Sequence, residues 1–121
     1  MESDVIIDFL SGVGEAKSAL ESIWEEGLIR VSAVSATEVM AAAREGWGGP
    51  ATKLIESFGI VPVDKEVALL AGRYLSDNPG NKLELGDCIV AATCHKLAAV
   101  LVTRGRRRYP ANGFVIKIIK Y

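Results

Sequence analysis

The chain has 121 residues, half of them hydrophobic, with 14 basic and 15 acidic side chains. That suffices for one domain around a single core and is too apolar for a disordered chain. No apolar stretch is long enough to span a bilayer, no basic region precedes the first apolar segment, and the only cysteines are Cys88 and Cys94. A membrane protein, a secretory leader and a disulfide framework are therefore not expected; reduced thiols in the cytoplasm are.

Charge is unevenly spread. Residues 99–121 carry Arg104, Arg106, Arg107, Arg108, Lys117 and Lys120 and no acid, leaving eight basic against fifteen acidic residues before them. Such asymmetry permits a nucleic-acid partner without establishing one.

In chain order, MESDVIIDFL places Glu2, Asp4 and Asp8 in or beside the apolar run 5–7, and Glu2 stands where a first strand would end. Residues 15–26 read as a helix with Ala16, Ala19, Leu20 and Ile23 on one face, closed by Gly27. A strand over 28–34, a helix over 35–46, a WGGP turn, a helix over 51–58 and a strand over 59–63 follow. Asp64 begins a strong helix over 64–78, and PGNK makes a loop at 79–82. A helix over 86–98, a buried strand over 99–103, a loop beginning at Arg104 and a last strand over 114–121 complete the chain. Strands alternating with helices across short connections predict an α/β fold: one domain over 1–121, with a central parallel sheet flanked by helices on both faces.

Ligands of open α/β sheets bind beyond the carboxyl ends of the strands, so acids at those ends matter. Glu38 has two readings: a site carboxylate, or the end of a capping box with Ser35 as N-cap. Asp87 is a site carboxylate or an N-cap. Asp4 could favour a helix dipole, and Asp8, one turn on, reads as solvated. Glu2 has no such local explanation. Carboxylates converging at neighbouring strand ends repel and call for a cation; hard oxygen donors favour Mg²⁺ or Mn²⁺ over zinc. His95, the one histidine, reads as a helix-surface residue, and Trp24 and Trp47 as packing residues. No phosphate-binding glycine motif occurs.

Five blocks, ESDVIIDFLSG, VSAVSATEVMAAAREG, IVPVDKEVALLAGRYL, LELGDCIVAATCHK and LVTRGRRRYP, stand in an order and spacing that resemble the PIN-domain ribonucleases, in particular VapC-type toxins of prokaryotic toxin–antitoxin pairs. The resemblance implies a metal-dependent endoribonuclease that holds Mg²⁺ or Mn²⁺ on carboxylates and cuts RNA with activated water. It carries catalytic and metal-ligand roles to Glu2, Glu38 and Asp87, with Asp4 substituting or standing behind them. Glu2 replaces the family's aspartate and reaches one methylene further. Thr103 matches a site-orienting hydroxyl, Gly105 replaces the usual asparagine, and Arg108 takes the place of a fourth acid. Arg104, Arg106, Arg107 and Arg108 would hold RNA phosphates. A small antitoxin and a homodimer are the implied partners, with no membrane. The alternatives are a PIN-like RNA- or partner-binding domain with a weakened site, and a phosphoacceptor signalling domain, which Asp64 after proline fits poorly.

Overall fold

The computed structural model describes residues 1–43, 46, 48–80, 82–105, 109–110 and 116–118. Its helices are α1 (Ser3–Leu10), α2 (Gly14–Glu26), α3 (Ala33–Ala42), α4 (Gly48–Ser57), α5 (Lys65–Asp77) and α6 (Leu85–Leu97); its strands are β1 (Arg30–Ser32), β2 (Gly59–Val61), β3 (Leu101–Thr103) and β4 (Ile116–Ile118). The α/β alternation follows the expected order, and the strand pairs are parallel.

The sheet has a gap at its centre. β1 pairs with β2 and β3 with β4, but the described strands form two separate two-stranded sheets. Two backbone bonds bridge them: the Met1 amine donates to Arg30 O at 2.8 Å and Glu2 N to Val102 O at 2.8 Å. Met1 and Glu2 thus form a two-residue extended segment between β1 and β3, and α1 follows with Asp4 and Asp8.

Helix starts differ from the local expectations at two informative places. Ser32, not Ser35, is the N-cap of α3, accepting from Val34 N at 3.2 Å. The helix therefore begins before Ser35, the expected capping box does not form, and Glu38 falls in the second turn. In α6 the N-cap is Glu84, so Asp87 lies inside the first turn, where it favours the dipole without capping. The WGGP turn is also revised: Gly48 already belongs to α4, while Trp47 lies outside the described residues. Of the last strand, only 116–118 falls within the described residues.

One apolar cluster joins Ile6, Leu20, Val31, Val39 and Ile55; another joins α5 to α6 through Val67, Ala71, Cys88 and Ala92. Trp24 packs on Phe58 with ring centroids 5.4 Å apart, and His95 is exposed, as expected for both. Both cysteines are free and buried, and burial raises each thiol pKa. Among the described residues no helix is long and apolar enough to cross a membrane.

Asp64 caps α5 as expected, accepting from Val67 N at 2.9 Å, and also pairs with Lys96 on α6. The Lys96 hydrogen bond holds the Asp64 pKa below its usual value, and Asp64 holds that of Lys96 above. Asp64 contributes stability above its ordinary pKa of about 4, lost as pH falls through the lower folded value; Lys96 contributes below about 10.4, lost as pH rises. Lys96→Met should lower stability modestly in urea unfolding at pH 7, with the variant and wild-type curves converging below about pH 3.

Candidate functional site

Glu2 is fully buried. An ionised carboxylate there requires donors, and three parts of the chain supply them. Oε1 accepts from Ser3 N at 3.0 Å and from Ser35 Oγ at 2.9 Å; Oε2 accepts from Tyr109 Oη at 2.5 Å. The α3 start at Ser32 puts Ser35 in the helix interior-facing first turn, where its hydroxyl serves Glu2 instead of a cap. A carboxylate offers about four lone-pair positions, so three bonds leave one on Oε2.

Asp4, also buried, ties α1 to the end of β3. Its Oδ1 accepts from Val5 N at 2.7 Å; Oδ2 accepts from Thr103 Oγ1 at 3.1 Å and Arg104 N at 3.0 Å. Thr103 Oγ1 in turn accepts from Gly105 N at 3.1 Å. Gly105 has φ +76°, a region that glycine and asparagine tolerate, so the exchange between those two preserves this turn. Thr103 therefore orients the loop through Asp4. Asp8 is not solvated as expected: it is partly buried and pairs with Arg104 Nη1 at 3.2 Å. The Arg104 side chain thus reaches α1.

Ser3 connects the next acid, its Oγ donating to Glu38 Oε1 at 3.4 Å while its N–H serves Glu2. Asp87 is buried in the first turn of α6, which packs on α3: a Cβ at Gly86 would lie 3.4 Å from Val34 Cγ1. Burial, then the charge of Glu2, pushes the Tyr109 pKa far up, with Asp87 adding in the same direction. The phenol thus stays protonated and donating. Ser3 joins Glu2 to Glu38, and Asp87 bears on the Tyr109 phenol through its charge; among the described residues no three of His, Cys, Asp and Glu are grouped so as to hold a metal ion. Mg²⁺ commonly takes only one or two carboxylates plus waters and substrate phosphates, so an all-carboxylate donor set suits it and not a closed zinc site.

Tyr109 and Ser35 are the site residues that the sequence did not single out. Ser35 was legible only as a cap, and Tyr109 only as an aromatic after a basic loop. Arg106, Arg107 and Arg108 lie outside the described residues. Thr103→Val keeps the side-chain shape but removes the donor to Asp4 and the acceptor for Gly105 N. It should cost about 1–3 kcal/mol in denaturant unfolding.

The PIN domain family model matches residues 2–112. The chain is 31% identical over 114 residues to Ribonuclease VapC10 of Mycobacterium tuberculosis, in both strains CDC 1551 and H37Rv, covering 91% of this chain and 84% of the relative. A solved toxin-antitoxin complex from Klebsiella pneumoniae contains a chain of similar structure, with TM-score 0.71 and 27% identity, over 86% of this chain and 83% of that one. With the family model matched over residues 2–112 and a relative 31% identical across most of the chain, the chain belongs to the PIN-domain family.

Proposed function

We propose that the chain is an endoribonuclease of the VapC type, the toxin of a toxin–antitoxin pair, hydrolysing RNA phosphodiester bonds with Mg²⁺ or Mn²⁺. The observation that carries this reading is that Ser3 serves the buried Glu2 through its N–H and Glu38 through its hydroxyl, while Asp87 is buried in the first turn of α6, the helix packed on α3. Likeness to a ribonuclease across most of the chain supports it.

Glu38 and Asp87 would hold the cation, within the one or two carboxylates that Mg²⁺ commonly takes, with Glu2 behind them through Ser3. The bound cation supplies a Lewis acid that lowers the pKa of water and offsets charge on the phosphate. Asp4 stands behind them: its bonds to Thr103 and Arg104 N fix the loop from which the arginines extend. Arg104 exchanges Asp8 for an RNA phosphate, and Arg106, Arg107 and Arg108 add phosphate contacts that set affinity, not sequence. The partners of this reading are RNA, a small antitoxin and a second copy in a homodimer, in the cytoplasm.

A second reading, a PIN-like RNA- or partner-binding domain without catalysis, is favoured by the heavy use of Glu2 and Asp4 oxygens by protein donors. A cleavage assay on structured RNAs separates the two. Mg²⁺ or Mn²⁺ should support cutting and EDTA should stop it. Asp87→Asn and Glu38→Gln should each reduce the rate by about 100-fold or more, at the upper end of losses for residues around a metal. RNA binding without cutting in any metal would establish the binding module.

A further inference from the structure

The two carboxylates read as cation ligands stand on different helices, Glu38 on α3 and Asp87 on α6. Their relative placement depends on what joins those helices near the site. Gly86 packs against Val34 there, but an apolar contact does not orient a carboxylate. Hydrogen bonds do, because they are directional.

Tyr109 stands at the start of a run of such bonds. Its ring packs on Val90, Cys94 and Leu101, which anchors it to α6 and β3. A tyrosine has only two side-chain torsions, so a packed ring leaves its hydroxyl little freedom. The phenol donates to Glu2 Oε2 at 2.5 Å. Glu2 passes the constraint on through Oε1, which accepts from Ser3 N at 3.0 Å. Ser3 Oγ then donates to Glu38 Oε1 at 3.4 Å. The run therefore leads from α6 to α3 through Tyr109, Glu2, Ser3 and Glu38. Asp87 is near its first member, since its charge bears on the same phenol. The 3.4 Å bond to Glu38 is the longest of the three, and a small shift of Glu2 would break it.

We propose that Tyr109 is a positioning residue for the cation: acting through Glu2 and Ser3, it holds Glu38 in place relative to Asp87 and so sets the affinity of the site without touching the ion. The inference rests on the reading of Glu38 and Asp87 as the ligands. It gives the phenol a task that ring packing alone does not require. Residues that hold metal ligands in place typically contribute about 10–100-fold to affinity or activity.

Mn²⁺ binding to the full chain without RNA, followed by the electron paramagnetic resonance of free Mn²⁺, tests the proposal. Tyr109→Phe keeps the ring and removes the hydroxyl; it should weaken Mn²⁺ binding about tenfold. Ser3→Ala keeps the N–H to Glu2, removes the donor to Glu38, and should weaken binding comparably. The double variant should lose no more than the weaker-binding single variant, because the phenol acts on Glu38 through the Ser3 hydroxyl. Lys96→Met, which loosens α5 against α6 away from this run, should leave the affinity within about twofold. Unchanged affinity in Tyr109→Phe, losses that multiply in the double variant, or an equal loss in Lys96→Met would each overturn the inference. Glu38→Gln tests the reading beneath it. If that variant loses Mn²⁺, the cation is on Glu38 whichever way the Tyr109 result falls. No Mn²⁺ binding by the wild type, or full binding by Glu38→Gln, would overturn both.

Discussion

The arrangement depends on one buried carboxylate. Glu2 has no exposure to water, and leaving its carboxyl without donors there would cost a large share of a domain's net stability. Its donors come from α1, α3 and the segment after β3, so satisfying one side chain fixes three parts of the chain together. Any rearrangement that separates these parts leaves a charge in a dry environment, and this makes the junction rigid. The residue types are consistent with that constraint: two hydroxyls and a backbone N–H donate without introducing a second charge.

Asp4 solves a similar problem for a different purpose. Its donors are Val5 N, the Thr103 hydroxyl and Arg104 N, so it fastens the end of β3 to the start of α1. The pair divides its work by direction. Glu2 ties inward to α3 and Tyr109; Asp4 ties to the loop carrying the arginines. Arg104 then reaches Asp8, which keeps a cation beside the acidic residues of α1. In the proposed function, exchange of Asp8 for an RNA phosphate would keep the guanidinium paired throughout and limit the desolvation cost.

Helix and strand order was legible because apolar periodicity and glycine punctuation act locally. Asp64 was read correctly as a cap because its hydrogen bond to Val67 N is also local. Ser35 and Glu38 matched the capping pattern equally well, yet Ser32 takes the cap and Ser35 turns to a carboxylate 33 residues away. Local pattern cannot register a partner brought in by tertiary packing. The same limit hid Tyr109, whose role exists only because Glu2 is beneath it, and made Asp8 look solvated, since its partner Arg104 is 96 residues on. The split sheet was equally hidden: alternation of strands and helices predicts parallel pairing but not which edges remain apart.

The central claim, that Glu2 is held in place by donors from separate segments, is tested most directly by a double-mutant cycle between Glu2→Gln and Tyr109→Phe, read by denaturant unfolding. Direct contact at 2.5 Å predicts that the two substitutions are non-additive by about 1 kcal/mol or more. Additivity within about 0.5 kcal/mol would show that the phenol and the carboxylate act independently, and would contradict the account.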